Sequence, residues 1–369
     1  MIEDIARKII FDIKPYVPGK PIEEVERELG IKDVIKMASN ENPFGPSPRA
    51  LEAMREALHK ISMYPDGNCF YLKDMLAEML FVEPDNLVVG NGSDEILKLL
   101  AEAFLDPGDE IVIAQPSFSE YEFVGKIMGA NCVFVPLKDF THDLESMGRA
   151  VTEKTKIVFI CNPNNPTGTI VTKAETDDFL KQLDPRVLVV FDEAYYEYVE
   201  DEDYPQSLDY VGEGQNVIVL RTFSKIYGLA GQRIGYGIAK PDIISALHRV
   251  REPFNVNLLA QVAALAAVED QEHLEKSIQG NREGKDFLFS WFEKKGINYV
   301  PTQANFIFLQ VGVDSQEVFQ EMMKLGVIVR TGDIFGHPDF IRITVGTMQE
   351  NRRFTECLEK VLRNQKAKL

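Results

Sequence analysis

A chain of 369 residues, 45% hydrophobic and 27% charged, is globular in texture and too long for one ordinary core. Its formal net charge of −18 disfavours nonspecific binding to nucleic acid or an anionic membrane, while leaving room for local arginines to take an anionic substrate. No apolar run approaches the about 20 residues of a membrane span. MIEDIARKII is not a signal peptide, and the four cysteines and five histidines lack CxxC and HExxH spacing. A cytoplasmic protein with reduced thiols and no metal is expected.

In chain order, Pro21–Leu29 reads as a helix closed by Gly30. Met37–Pro48 reads as a Pro/Gly-interrupted loop, Arg49–Lys60 as a helix, and Tyr64–Asn68 as a turn. Short apolar runs then alternate with helical patterns. The runs are Asn86–Val89, Glu110–Ala114, Cys132–Val135, Lys156–Cys161, Val187–Phe191, Val217–Leu220 and Ile234–Ile238. This predicts an α/β fold with a mostly parallel, seven-stranded sheet covered on both faces, one of the last two strands running antiparallel. After Pro241 long helical stretches give way to two strands, Asn305–Val311 and Phe340–Val345, and a final helix over 348–363. A large domain over 46–262 and a smaller α+β domain over 263–369 are expected, with 1–45 forming an N-terminal arm and part of the smaller one.

Ligands of open α/β sheets bind beyond the carboxyl ends of the strands, so the residues after each strand carry the chemistry. After the first comes GNGSDE, where Gly92 permits a tight turn and Ser93 and Asp94 open a helix, a ready phosphate site or an ordinary cap. PSFSEY follows the second and brings Phe118 and Tyr121 to the same edge. NPNNPTG follows the fourth, a rigid turn that aims Asn165 inward. Asp192 ends the wholly apolar fifth strand, where a carboxylate must be paired, and Tyr195 lies three residues on. The sixth leads into Ser224, Lys225 and, eight positions later, Arg233. A lysine among apolar residues, hydroxyls and glycines is desolvated and hence a nucleophile toward carbonyls. An amine, a phosphate cradle, a stacking ring and a buried aspartate together call for pyridoxal 5′-phosphate. Its aldehyde would condense with Lys225. Its phosphate would take Ser93, Asp94, Ser224 and Arg233. Its ring nitrogen would take Asp192, its phenolic oxygen Asn165 and Tyr195, and its face Phe118.

NPNNPTG, DEAYYEY and TFSKIYGLAGQRIGY, in this order and spacing, resemble the fold-type-I aminotransferases over nearly the whole chain. NENPFGPSP, YPDG, GNGSDE, REPFNVN, QANFIF, VIVR and IRITVGT resemble the histidinol-phosphate branch of that family. The resemblance implies a homodimer with sites at the interface, using small-molecule partners: an amino donor and a 2-oxo acid acceptor. It implies ping-pong transfer from L-histidinol phosphate to 2-oxoglutarate, with an aromatic amino acid aminotransferase as the alternative. It lends Tyr64 to the partner subunit's cofactor phosphate. Arg342 and Arg330 go to substrate anions, Tyr16 to closure over the substrate, and Asn42 and Asn257 to the pocket, where Asn257 is equally a helix cap. Phe118 stands where the family frequently has tyrosine, so stacking survives and a hydroxyl contact does not.

Overall fold

The computed structural model describes residues 2–13, 15 and 19–366. Its strands in chain order are β1 (Ile35–Lys36), β2 (Leu87–Gly90), β3 (Glu110–Gln115), β4 (Asn131–Pro136), β5 (Thr155–Cys161), β6 (Leu188–Asp192), β7 (Val217–Thr222), β8 (Gly235–Ala239), β9 (Tyr299–Val300), β10 (Phe306–Gln310), β11 (Val327–Ile328), β12 (Arg330–Thr331) and β13 (Phe340–Thr344). Seven of them form one sheet in the order β2-β8-β7-β6-β5-β3-β4. Only β8 runs against its neighbours, pairing antiparallel with both β2 and β7. All seven runs of the sequence reading are strands here, and the expected reversal among the last two is present.

Successive residues of these strands are buried on opposite faces, because side chains alternate along a pleated strand. Val89, Val112, Val158 and Val189 pack with helices Pro48–Ala57, Phe70–Leu80, Lys173–Gln182 and Leu258–Val268. Val88, Ile111, Ile157 and Val190 pack with helices Ser93–Phe104, Glu120–Met128 and Pro241–Val250. Both faces of the central strands are therefore sealed, while edge strand β4 leaves Phe134 exposed.

A second, four-stranded sheet has the order β12-β13-β10-β9, all antiparallel. Helices Gln271–Lys295, Ser315–Lys324 and Met348–Lys366 cover it, with Leu288, Phe292, Val318, Phe354 and Leu358 packed on Ile307, Leu309, Ile341 and Ile343. The strands β1 and β11 form a parallel pair, Ile35 opposite Val327 and Lys36 opposite Ile328. The loop that follows β1 then runs across to the large sheet. It ends at Ser47, whose hydroxyl caps helix Pro48–Ala57 by accepting from Arg49 and Ala50 N–H, and donates to Asp270 at 2.5 Å. Among the described residues no helix is long and apolar enough to cross a membrane.

Candidate active site

A cavity of about 980 Å³ opens at the carboxyl ends of the parallel strands. The reversal of β8 decides what lies at one end of it. Because β8 is antiparallel, its beginning rather than its end sits at this edge, and Arg233 just before it meets residues that follow β2 and β7. Arg233 donates from Nη1 to Ser224 Oγ at 3.2 Å and from Nη2 to Asp94 Oδ2 at 3.0 Å. Gly92 precedes the helix that starts at Ser93 and has φ +84°, a conformation that favours glycine. A Cβ there would lie 2.7 Å from Arg233 Nη2, and a Cβ on Gly235 would lie 2.6 Å from the Ser93 nitrogen. Backbone N–H groups, a guanidinium and two hydroxyls are thus held around a concavity kept open by missing side chains. That donor set fits a phosphate. The Asp94 carboxylate is itself an anion and serves here to fix Arg233, so its contribution toward a phosphate is its main-chain N–H.

Lys225 reaches into the same cavity, with Nζ donating to Ser39 O at 3.3 Å and lying 5.6 Å from the centre of the Tyr195 ring. Burial is the main reason its pKa falls to about 8; the positive charges of Arg342 and Arg233 push the same way. A larger fraction of its amine is therefore unprotonated near neutral pH than for an ordinary lysine. Asp192, the last residue of β6, is 3% exposed. Its Oδ2 accepts from Tyr121 Oη at 2.7 Å and its Oδ1 from Ala194 N at 3.2 Å. Burial pushes its pKa up to about 6, against the effect of the tyrosine bond. Tyr195 is buried, its phenol accepts from Asn40 Nδ2 at 3.0 Å, and desolvation raises its pKa, so it stays protonated. Phe118 and Asn165 line the cavity as well. An aldehyde bearing a phosphate and a basic ring nitrogen finds an amine, a cradle and a carboxylate here, so pyridoxal phosphate fits these residues.

Arg330 and Arg342 line the cavity from β12 and β13. Arg342 is buried, donates to Ala38 O at 2.7 Å and to Asn165 Oδ1, and lies between the rings of Phe306 and Phe335, 5.4 and 5.6 Å from their centres. Besides Gly92, which directly precedes Ser93, three sequence candidates are not among the described residues that line the cavity. Asn42 is buried with its amide bonded to Ile226 O and Ser277 Oγ. Asn257 caps helix Leu258–Val268 by accepting from Ala260 N at 2.8 Å. Tyr64 is 83% exposed and stacked on Phe254 at 4.7 Å between ring centres. Tyr16 lies outside the described residues. Sequence reasoning missed Asn40, which lines the cavity, holds Tyr195 and has φ +57°. Its place inside NENPFGPSP was the available signal.

Comparison with known proteins agrees with this architecture. The aminotransferase class I and II family model matches residues 32–358. The chain is 61% identical over 358 residues to the histidinol-phosphate aminotransferase of Moorella thermoacetica, covering 97% of this chain and 93% of that one. It is 49% identical over 356 residues to the enzyme of the same name from Caldicellulosiruptor saccharolyticus, covering 96% and 99%. The crystal structure of histidinol-phosphate aminotransferase from Sinorhizobium meliloti in complex with pyridoxal-5′-phosphate superposes with a TM-score of 0.90 at 28% identity, covering 97% of each chain. With an amine, a buried carboxylate and a phosphate cradle gathered at the strand ends of this sheet, the chain belongs to the class I and II aminotransferases.

Proposed function

We infer that this chain is a pyridoxal-phosphate-dependent aminotransferase that transfers the amino group of L-histidinol phosphate to 2-oxoglutarate. The products are imidazole acetol phosphate and L-glutamate, and the step belongs to L-histidine biosynthesis. The observation that carries the reading is one cavity holding Lys225, Asp192 and two separate arginine positions, Arg233 by the glycine cradle and Arg330 with Arg342 on the smaller sheet.

When bound, the cofactor supplies a carbonyl for the amino group and a ring that accepts the electron pair left by the departing Cα proton. The chain's residues do the rest. Gly92, Ser93, the Asp94 N–H, Ser224 and Arg233 would hold its phosphate, and Asp192 would face its ring nitrogen. Tyr195 accepts from Asn40, which leaves its own proton free to point at the cofactor's phenolic oxygen beside Asn165. The paired guanidiniums take the phosphate of one substrate and the carboxylate of the other through parallel hydrogen bonds.

The homodimer belongs to this proposal. Leu58, Ile61, Met63, Tyr64, Phe70 and Tyr71 are exposed within fourteen residues of chain, a run of apolar surface that a second copy would cover, bringing Tyr64 to the partner's cradle. So does the division into a cofactor-binding unit over 46–262 and a smaller unit over 263–369 with 1–45, supported by two separately packed sheets. A cytoplasmic location accords with four free cysteines.

The test is kcat/KM for L-histidinol phosphate and L-phenylalanine, side by side with 2-oxoglutarate. A strong preference for the phosphorylated donor is expected. A preference for phenylalanine would make this an aromatic aminotransferase. Sedimentation at micromolar concentration should give twice the chain's 41.8 kDa.

A further inference from the structure

We propose that Tyr121 is a positioning residue for the transamination: its phenol holds Asp192 so that the carboxylate presents its remaining lone pairs to the cofactor ring. The proposal rests on the pyridoxal phosphate reading above. Tyr121 does not line the cavity among the described residues; it stands behind it in the first turn of helix Glu120–Met128 and is 0% exposed. Its ring is fixed from two sides. Phe159 stacks on it at 4.6 Å with planes 10° apart, and Phe118 meets it edge-on at 5.6 Å. So placed, its hydroxyl donates to Asp192 Oδ2 at 2.7 Å. Ala194 N–H holds the other oxygen at 3.2 Å. The two bonds take one lone pair from each oxygen and clamp the carboxyl group against rotation, leaving the cavity side of both oxygens for a ligand.

The chemistry runs in the direction that the reaction needs. Burial disfavours the anion of Asp192, whereas a donated hydrogen bond favours it. Burial also raises the Tyr121 pKa well above its usual value, so the phenol remains a donor wherever the enzyme works. A tyrosine retained only for packing would leave Asp192 indifferent to loss of one hydroxyl. A positioning tyrosine would not, because the same carboxylate must then meet a protonated ring nitrogen unaided. Phe118 couples the two halves of the site: its ring forms the cavity wall and also packs on Tyr121.

The experiment is a titration of apoprotein with pyridoxal phosphate, followed by visible absorbance, for wild type, Tyr121→Phe, Asp192→Asn and the double variant. Tyr121→Phe is expected to bind the cofactor about tenfold more weakly, as for loss of one charge-assisted bond, with its apoprotein melting close to wild type. In the Asp192→Asn background the same change should add nothing, since the two residues act as one unit. Wild-type affinity in Tyr121→Phe, or losses that simply add in the double variant, would overturn the proposal. If Tyr121→Phe alone proves too unstable to titrate, recovery of folding on adding Asp192→Asn supports the coupling, and no recovery overturns it. Failure of wild type to take up the cofactor would instead sink the functional reading itself.

Discussion

Arg330 and Arg342 are direct cross-strand partners in the β12–β13 pair, so two guanidinium stems rise from one face of the small sheet side by side. Like charges so placed repel one another. Arg342 donates to the Ala38 carbonyl and the Asn165 amide and lies against two aromatic rings. An anion between them would relieve that repulsion. Replacing Arg342 by Gln should raise KM for histidinol phosphate by about 100-fold and replacing Arg330 by about tenfold, as for loss of charge-assisted bonds. Cofactor titration should be unchanged in the Arg330 variant. Steady-state kinetics with the phosphorylated donor checks this, and an unaltered KM in both variants would remove the arginines from the substrate site.

Lys225→Ala should abolish both visible cofactor absorption and transamination while leaving a folded protein. The apoprotein carries a second signature. The Lys225 pKa is about 8 in the folded chain against an ordinary 10.5, so folded protein binds fewer protons between those values. Stability therefore rises with pH across that window, and below about pH 8 the buried charge costs its full amount. Lys225→Met should stabilise the apoprotein at pH 7 by at most about 3 kcal/mol, less where water enters the open cavity, with the gain vanishing above pH 10.5. Urea unfolding at pH 7 and at pH 10.5 measures it.

Gly92→Ala places a methyl group 2.7 Å from Arg233 Nη2 and strains a residue at φ +84°. Strain of about 1–3 kcal/mol is expected. Relief by displacing Arg233 would loosen the phosphate cradle, so cofactor affinity should drop more than stability does. Titration of the apoprotein and thermal melting, run together, separate the two effects.

Arg221→Leu should be among the more damaging changes outside the cavity. Arg221 donates from Nε and Nη2 to Glu193 Oε2 at 3.0 and 2.8 Å, with both side chains buried, and its guanidinium lies 3.6 Å from the centre of the Tyr196 ring. Removing one member of a buried pair strands the other charge, at about 3–5 kcal/mol. Chemical denaturation should show that loss, and Arg221→Leu with Glu193→Leu should recover part of it.

The strands were legible because each is a short, continuous apolar run, and the residues following them could be read as one edge. Other features depend on distances along the chain that no local pattern encodes. Asn40 and Asn42 share one polar loop, yet Asn40 turns toward Tyr195 and Asn42 toward Ile226 and Ser277; only the tertiary path separates them. Helix Phe70–Leu80 went unread since it starts from Cys69 at φ +50°, with Asp66 accepting from the N–H groups of Asn68 and Phe70 in place of a serine or threonine cap. Sequence alone assigns the Asp94 carboxylate to the phosphate, because the Arg233 bond that occupies it joins residues 139 positions apart.

The β1–β11 pair has a consequence for synthesis on the ribosome. Lys36 leaves the exit tunnel 291 residues before Val327, its partner's first residue, counting 327 − 36. At about 5–20 residues per second, Ile35 and Lys36 wait about 15–60 s for that strand, while the seven strands of the large sheet emerge in the interval. The nascent chain thus carries an unpaired segment while the whole large sheet is made, and the rate of synthesis up to Val327 determines when that segment is sheltered.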